Sequence, residues 1–141
     1  MSVRVCRLLA SAVVTVLVLA AAATMSASAA PPLKITNCFR ASTRPKLITL
    51  TCGDGNTVLK GLSWSSFGGS TARASGTFEM NTCEPNCAQG KDVSYPVTVK
   101  ATSPRKCKGG LRVYNMITLQ FTGRSPSGSN DFKHWTLGCP T

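Results

Sequence analysis

His134 is the only histidine of this 141-residue chain, so any histidine-based acid–base chemistry would have to pass through it. Asp131 stands three residues earlier, an arrangement that resembles an acid–base pair. Strand residues three apart point to opposite faces, so the two side chains can meet only if Asp131 belongs to the preceding loop. The five carboxylates (Asp54, Glu79, Glu84, Asp92 and Asp131) are scattered, whereas glycoside hydrolysis needs two of them facing each other across a cleft. His134, Glu79 and Arg112 supply the residue types of a small secreted ribonuclease, but no motif links them. No G-x-S-x-G elbow, H-E-x-x-H helix or P-loop occurs. The chain therefore reads as a non-enzyme with no catalytic residue, cofactor or metal. A weak hydrolase or nuclease centred on His134 is kept as an alternative.

The cysteines offer a second kind of chemistry. Cys6 lies near the N-terminus, and Cys38, Cys52, Cys83, Cys87, Cys107 and Cys139 are spread through the rest. Cys83-x-x-x-Cys87 matches neither the tighter Cys-x₂-Cys knuckle of zinc sites nor the Cys-x-x-Cys of redox dithiols. Six cysteines behind an export signal point instead to three structural disulfides. Cys38 and Cys52 end adjacent strand candidates flanking a turn at residues 40–45, so a bridge between them is expected. It would be worth on the order of 3 kcal/mol in the chain-entropy view. Cys83 and Cys87 are expected to reach outward to Cys107 and Cys139, in an order left open.

Binding is the third possibility. The basic residues Arg40, Arg44 and Lys46 form one group, and Arg105, Lys106 and Lys108 another. Trp64 and Phe67 flank a Ser-Ser pair before a glycine loop, where exposed rings could stack on a sugar or anchor a partner. The alternative places Trp64 at the edge of the core. The binding candidates are accordingly Trp64, Phe67, Arg105, Lys106 and Lys108.

These residues need a scaffold, and the chain begins with its address. Arg4 and Arg7 precede an uncharged apolar run from Leu8 to Ala23, followed by small residues and the A-x-A triplet Ala27-Ser28-Ala29. This is the order of a secretory signal, expected to be cleaved after Ala29. The apolar run is shorter than the ~20 residues that span a bilayer. No second such run follows, so no membrane span is expected after cleavage. We expect residues 1–29 to be signal and 30–141 to be one secreted domain. Losing Arg4 and Arg7 leaves 14 Lys and Arg against 5 Asp and Glu, a formal charge of +9. That balance favours an anionic envelope polymer or a secreted protein as partner. It argues less for nucleic acid, because aromatic platforms are not interleaved with the cations.

Alternation of apolar and polar residues dominates the rest. Ala72, Ala74, Gly76, Phe78 and Met80 share one face, as do Val93, Tyr95, Val97, Val99 and Ala101. Leu111, Val113, Ile117, Leu119 and Phe121 form a third set opposed by Arg112, Tyr114 and Met116, with Asn115 suggesting a bulge. Pro96 cannot donate to a ladder, which suggests an edge strand. Shorter candidates are Leu33–Cys38, Lys46–Cys52, Thr57–Trp64 and Phe132–Leu137, with a tight turn at Gly53–Asn56. The fold class is all-β: a small disulfide-stapled antiparallel β-sandwich or barrel of about seven strands.

Four segments taken in order resemble a known pattern. They are Arg44-Pro-Lys-Leu-Ile-Thr-Leu-Thr-Cys-Gly-Asp-Gly-Asn56, Trp64-Ser-Ser-Phe67, Ala72-Arg-Ala-Ser-Gly76 and Cys83-Glu-Pro-Asn-Cys-Ala-Gln-Gly90. Together they look like the small exported proteins found widely in actinobacteria. That family often has a second Trp where Phe67 stands and has no assigned activity. The resemblance implies a secreted or envelope-associated domain and carries over no site residue. Cys52-Gly-Asp-Gly55 between strands is also similar to bacterial lysozyme inhibitors, which tend to be less basic. An inhibitor of a secreted hydrolase, presenting the Cys83–Gly90 loop, is thus a further alternative.

Overall fold

The computed structural model describes residues 29–140. The expected signal lies outside them apart from Ala29, as does Cys6. Eight strands follow in order: β1 (Leu33–Asn37), β2 (Arg40–Ser42), β3 (Leu47–Thr49), β4 (Thr57–Ser66), β5 (Ala72–Asn81), β6 (Asp92–Lys106), β7 (Arg112–Phe121) and β8 (His134–Thr136). One short 3₁₀ turn spans Lys108–Gly110. No helix of the described residues is long and apolar enough to cross a membrane.

The strands form one sheet in the order β2-β1-β7-β6-β5-β4-β3, with β8 added on β7. β4 to β7 are a meander of antiparallel neighbours, as the three alternating segments require. β1 pairs with β7 in parallel, so the sheet is mixed rather than wholly antiparallel. It is a single sheet curled into a half-closed barrel, not two stacked layers. Its two sides approach where β1, the strand next to the terminal β2, touches the terminal β3. There the Asn37 side chain donates to the Leu47 carbonyl at 3.2 Å and accepts the Thr49 N–H at 2.9 Å. The Cys38–Cys52 disulfide lies beside this seam.

Curling puts the apolar face of each strand inside. Phe78, Ile35, Ile48, Leu59, Ile117 and Tyr114 are fully buried, and each large apolar side chain so placed is worth about 1.5–3 kcal/mol. Gly76 sits on this inner face because a Cβ there would come within 2.8 Å of Leu62 Cδ2 and 2.9 Å of the Lys60 carbonyl. Leu62 reaches that place through an irregularity in the β4–β5 register between Lys60 and Ser63.

Several expectations are corrected. Pro96 is not on an edge, since β6 lies between β5 and β7. The β6–β7 ladder stops at Val97–Phe121, one residue away, and the Pro96 carbonyl accepts the Thr122 N–H at 3.0 Å. The missing donor therefore falls where the ladder ends. Tyr114 belongs to the core rather than the outer face. Pairing lapses between Ser103, whose φ is 55°, and Asn115; on β7 the alternation changes phase there, Val113 and Tyr114 both being buried, and on β6 residues 103–106 are all exposed. Residues 40–42, expected within a turn, form β2 against β1. Cys83 does not reach outward: it bonds Cys87, and Cys107 bonds Cys139. Three disulfides suit an oxidising compartment.

Candidate functional site

His134 lies on β8 opposite Thr118, whose hydroxyl is 3.5 Å from the His134 Nδ1. Asp131 does belong to the preceding turn, where its N–H donates to the Gly128 carbonyl. No hydrogen bond or ion pair joins it to His134 among the described residues. Glu79 is engaged elsewhere: Lys60 pairs with it and the Ser94 hydroxyl donates to it at 2.8 Å. These two hydrogen bonds, Lys60 first, hold the Glu79 carboxyl below its ordinary range. Arg112 instead donates to the Pro31 carbonyl at 3.3 Å. Glu79 lies six residues, roughly 20 Å, along β5 from the row that contains His134. Arg112 lies a similar distance along β7 in the opposite direction. The structure does not bring the three together. No group of three or more His, Cys, Asp or Glu that could hold a metal occurs among the described residues.

Trp64 and Phe67 are half-buried and packed against the core. Their rings meet edge to face at 5.0 Å, and Phe67 meets Tyr114 in the same way at 5.5 Å. The Trp64 indole donates to the Pro45 carbonyl at 2.8 Å. The Tyr114 hydroxyl donates to the Gly69 carbonyl at 2.8 Å and accepts the Gly68 N–H at 3.0 Å. These aromatics thus close one end of the barrel and pin the 67–70 loop. Among the described residues, the exposed large apolar side chains are instead Phe39 and Leu47.

The second basic group is gathered by the β6–β7 connection. Lys106 stands directly opposite Arg112, Arg105 is one residue earlier, and Lys108 opens the 3₁₀ turn between the strands. Arg105 donates to the Asn115 side chain at 3.1 Å. A recess beside these residues is lined by Ala29, Ala30, Pro31, Lys106, Gly110 and Arg112. Like charges directly opposite one another on antiparallel strands repel. Among the described residues, the one ion pair is Lys60–Glu79, so no carboxylate offsets Lys106 or Arg112. Arg112 is the member that sequence reading missed. Its signal was available, because pairing the two long alternating segments across the Lys108-Gly-Gly110 turn places it against Lys106.

The Cys83–Gly90 loop projects from the β5–β6 hairpin as a five-residue disulfide ring with Glu84, Pro85 and Asn86 exposed. Its base is braced. Thr82 N–H donates to the Lys91 carbonyl at 2.9 Å, and Cys83 N–H donates to Asn81 Oδ1 at 2.8 Å. Gly90 packs so tightly under it that a Cβ would fall 2.1 Å from Asn81 Oδ1 and 2.7 Å from the Cys83 nitrogen.

No protein-family profile, curated protein or solved structure matches the chain.

Proposed function

We propose that this is an exported, non-enzymatic binding protein that captures an anionic partner outside the cell, with the β6–β7 hairpin end as its contact surface. The observation that carries this reading is the direct pairing of Lys106 with Arg112 beside the recess, with Lys108 in the adjoining turn and Arg105 next in the chain, and with no carboxylate paired to any of them among the described residues. Cleavage after Ala29 would add the new α-amino group of Ala30 to the same recess.

The test is retention of the protein on an immobilised polyuronate or polyphosphate as salt is raised. Binding through a cation cluster weakens steeply over the range in which the Debye length shrinks from ~10 to ~3 Å. The Lys106→Gln/Arg112→Gln variant should elute at clearly lower salt than Arg40→Gln/Arg44→Gln, which removes the same charge elsewhere. Equal shifts would reduce the effect to net charge and defeat the reading.

A second reading rests on the braced Cys83–Gly90 loop, a rigid shape suited to blocking a secreted hydrolase. Rigid loops bind with little ordering cost. Inertness towards a panel of secreted proteases, amylases and lysozymes would remove it.

A further inference from the structure

The outer face of the meander carries a second recess, of about 530 Å³, far from the hairpin end. Strand register arranges its lining in two cross-strand rows. Ser63, Ser75, Thr98 and Gln120 are successive partners from β4 to β7. One step along each strand pair, Arg73 faces Lys100, Lys100 faces Thr118, and Thr118 faces His134 on β8. The residues between the rows, Ala74, Val99 and Leu119, are buried, so the floor is fixed by the core beneath it.

The charge pattern of this face is uneven in an informative way. Lys60, also on β4, is neutralised by Glu79. Arg73 and Lys100 are direct cross-strand neighbours, and no carboxylate lines the recess or pairs with either among the described residues. Two cations facing each other repel until an anion sits between them. An Arg guanidinium supplies a fork of donors for a carboxylate, sulfate or phosphate, and a Lys beside it adds a point charge. The neighbouring row offers hydroxyls and one amide, groups that both donate and accept. No aromatic ring lines the recess, which leaves nothing for a nucleobase to stack on. Four strands span three intervals, roughly 14 Å, the scale of a short oligosaccharide.

We propose that this groove binds an acidic glycan, with an anionic group between Arg73 and Lys100 and sugar hydroxyls along Ser63, Ser75, Thr98 and Gln120. The site is separate from the hairpin-end cluster and stands whether or not that cluster binds anything. Charge supplies the affinity here, and the hydroxyl row supplies discrimination between a sugar and a bare anion.

Calorimetric titration of the exported protein tests it with five probes. These are a galacturonate tetrasaccharide, a sulfated tetrasaccharide, maltotetraose, inorganic sulfate and a short single-stranded DNA. At least one acidic tetrasaccharide should bind, and the two together show whether carboxylate or sulfate is preferred. Arg73→Gln/Lys100→Gln should weaken that binding by about tenfold or more, since it removes charge-assisted hydrogen bonds. Arg40→Gln/Arg44→Gln, with the same change in charge and outside both recesses, should leave it nearly unaltered. Ser75→Ala/Thr98→Val should weaken the tetrasaccharide and not inorganic sulfate. All substituted residues are exposed, so the fold should tolerate the changes, which thermal unfolding checks. The proposal is overturned if neither acidic tetrasaccharide binds or if maltotetraose binds as well. It also fails if sulfate alone or the DNA binds the groove as tightly, or if the two charge pairs prove equivalent. Loss of groove binding with retained hairpin-end binding, or the reverse, separates the two readings.

Discussion

Asn37 and Thr49 are joined across the open side of the sheet, the Asn37 Oδ1 accepting the Thr49 N–H at 2.9 Å. The same amide donates to the Leu47 carbonyl, so one side chain performs the two exchanges that a paired strand residue would make. It ties β1 to β3, which share no strand ladder. Asn37→Ala would leave both groups of β3 without this partner, at a cost of about 1–3 kcal/mol. Urea unfolding should show that loss, and hydrogen exchange should show faster exchange at the Thr49 amide. An unchanged Thr49 exchange rate would mean the amide does not hold the seam.

Tyr114 makes a comparable link at the other end of the core, to Gly68 and Gly69. Tyr114→Phe keeps the ring and removes the hydroxyl. We expect a loss of about 1–3 kcal/mol, with new proteolytic cutting in the 67–70 loop. Resistance of that loop to protease in the variant would show that the ring alone positions it.

The Lys60–Glu79 pair gives a pH dependence whose sign follows from the lowered Glu79 carboxyl. A group whose folded-state pKa lies below its unfolded value stabilises the fold above the unfolded value, which is 4.5 for Glu79. That contribution disappears as pH falls through the lower folded value. The Lys60 side chain is 45% exposed, so solvent screening limits the pair to roughly 0.2–1 kcal/mol. Glu79→Gln should therefore be less stable than the parent at pH 7, and the difference should close as the pH falls through and below that lowered value. A difference that persists into strongly acidic solution would assign the effect to packing.

Two of the disulfides close loops of very different length. Cys107–Cys139 spans a sequence separation of 32, and Cys83–Cys87 one of 4. In the chain-entropy view, the first contributes about 3–4 kcal/mol and the second about 2 kcal/mol. Replacing Cys107 and Cys139 by Ser should lower the unfolding midpoint more than replacing Cys83 and Cys87. The reverse order would show that the short ring braces the sheet itself.

Much of the scaffold was legible because alternation is a local signal. Ala74, Phe78, Val97, Val99, Ile117 and Leu119 all take the inner face that their period-2 spacing assigns. The lapse in pairing falls at Asn115, the residue that suggests a bulge, but that residue alone does not say which side of it keeps the phase; Tyr114 was misplaced because that depends on the neighbouring strand. Pro96 was misplaced for a similar reason: where a ladder ends depends on the length of the neighbouring strand. Cys38–Cys52 was readable from adjacent strands, whereas Cys107 meets Cys139 only because the C-terminal segment returns along β7. The rows of the outer groove are likewise a product of register. Arg73 and Lys100 look unrelated until β5 and β6 are aligned.

The parallel pairing of β1 with β7 also sets an order of events. β4 to β7 can assemble by successive hairpins, each closing a short loop. β1 cannot dock until Arg112–Tyr114 exist to receive it, and Thr36 bonds Gly138 across 102 residues. Such distant contacts carry the largest loop-closure cost and form slowly. The first strand to be synthesised is thus among the last to be placed, and until then the edge of β7 stays open. A chain built this way stays incompletely folded until nearly all of its strands are present.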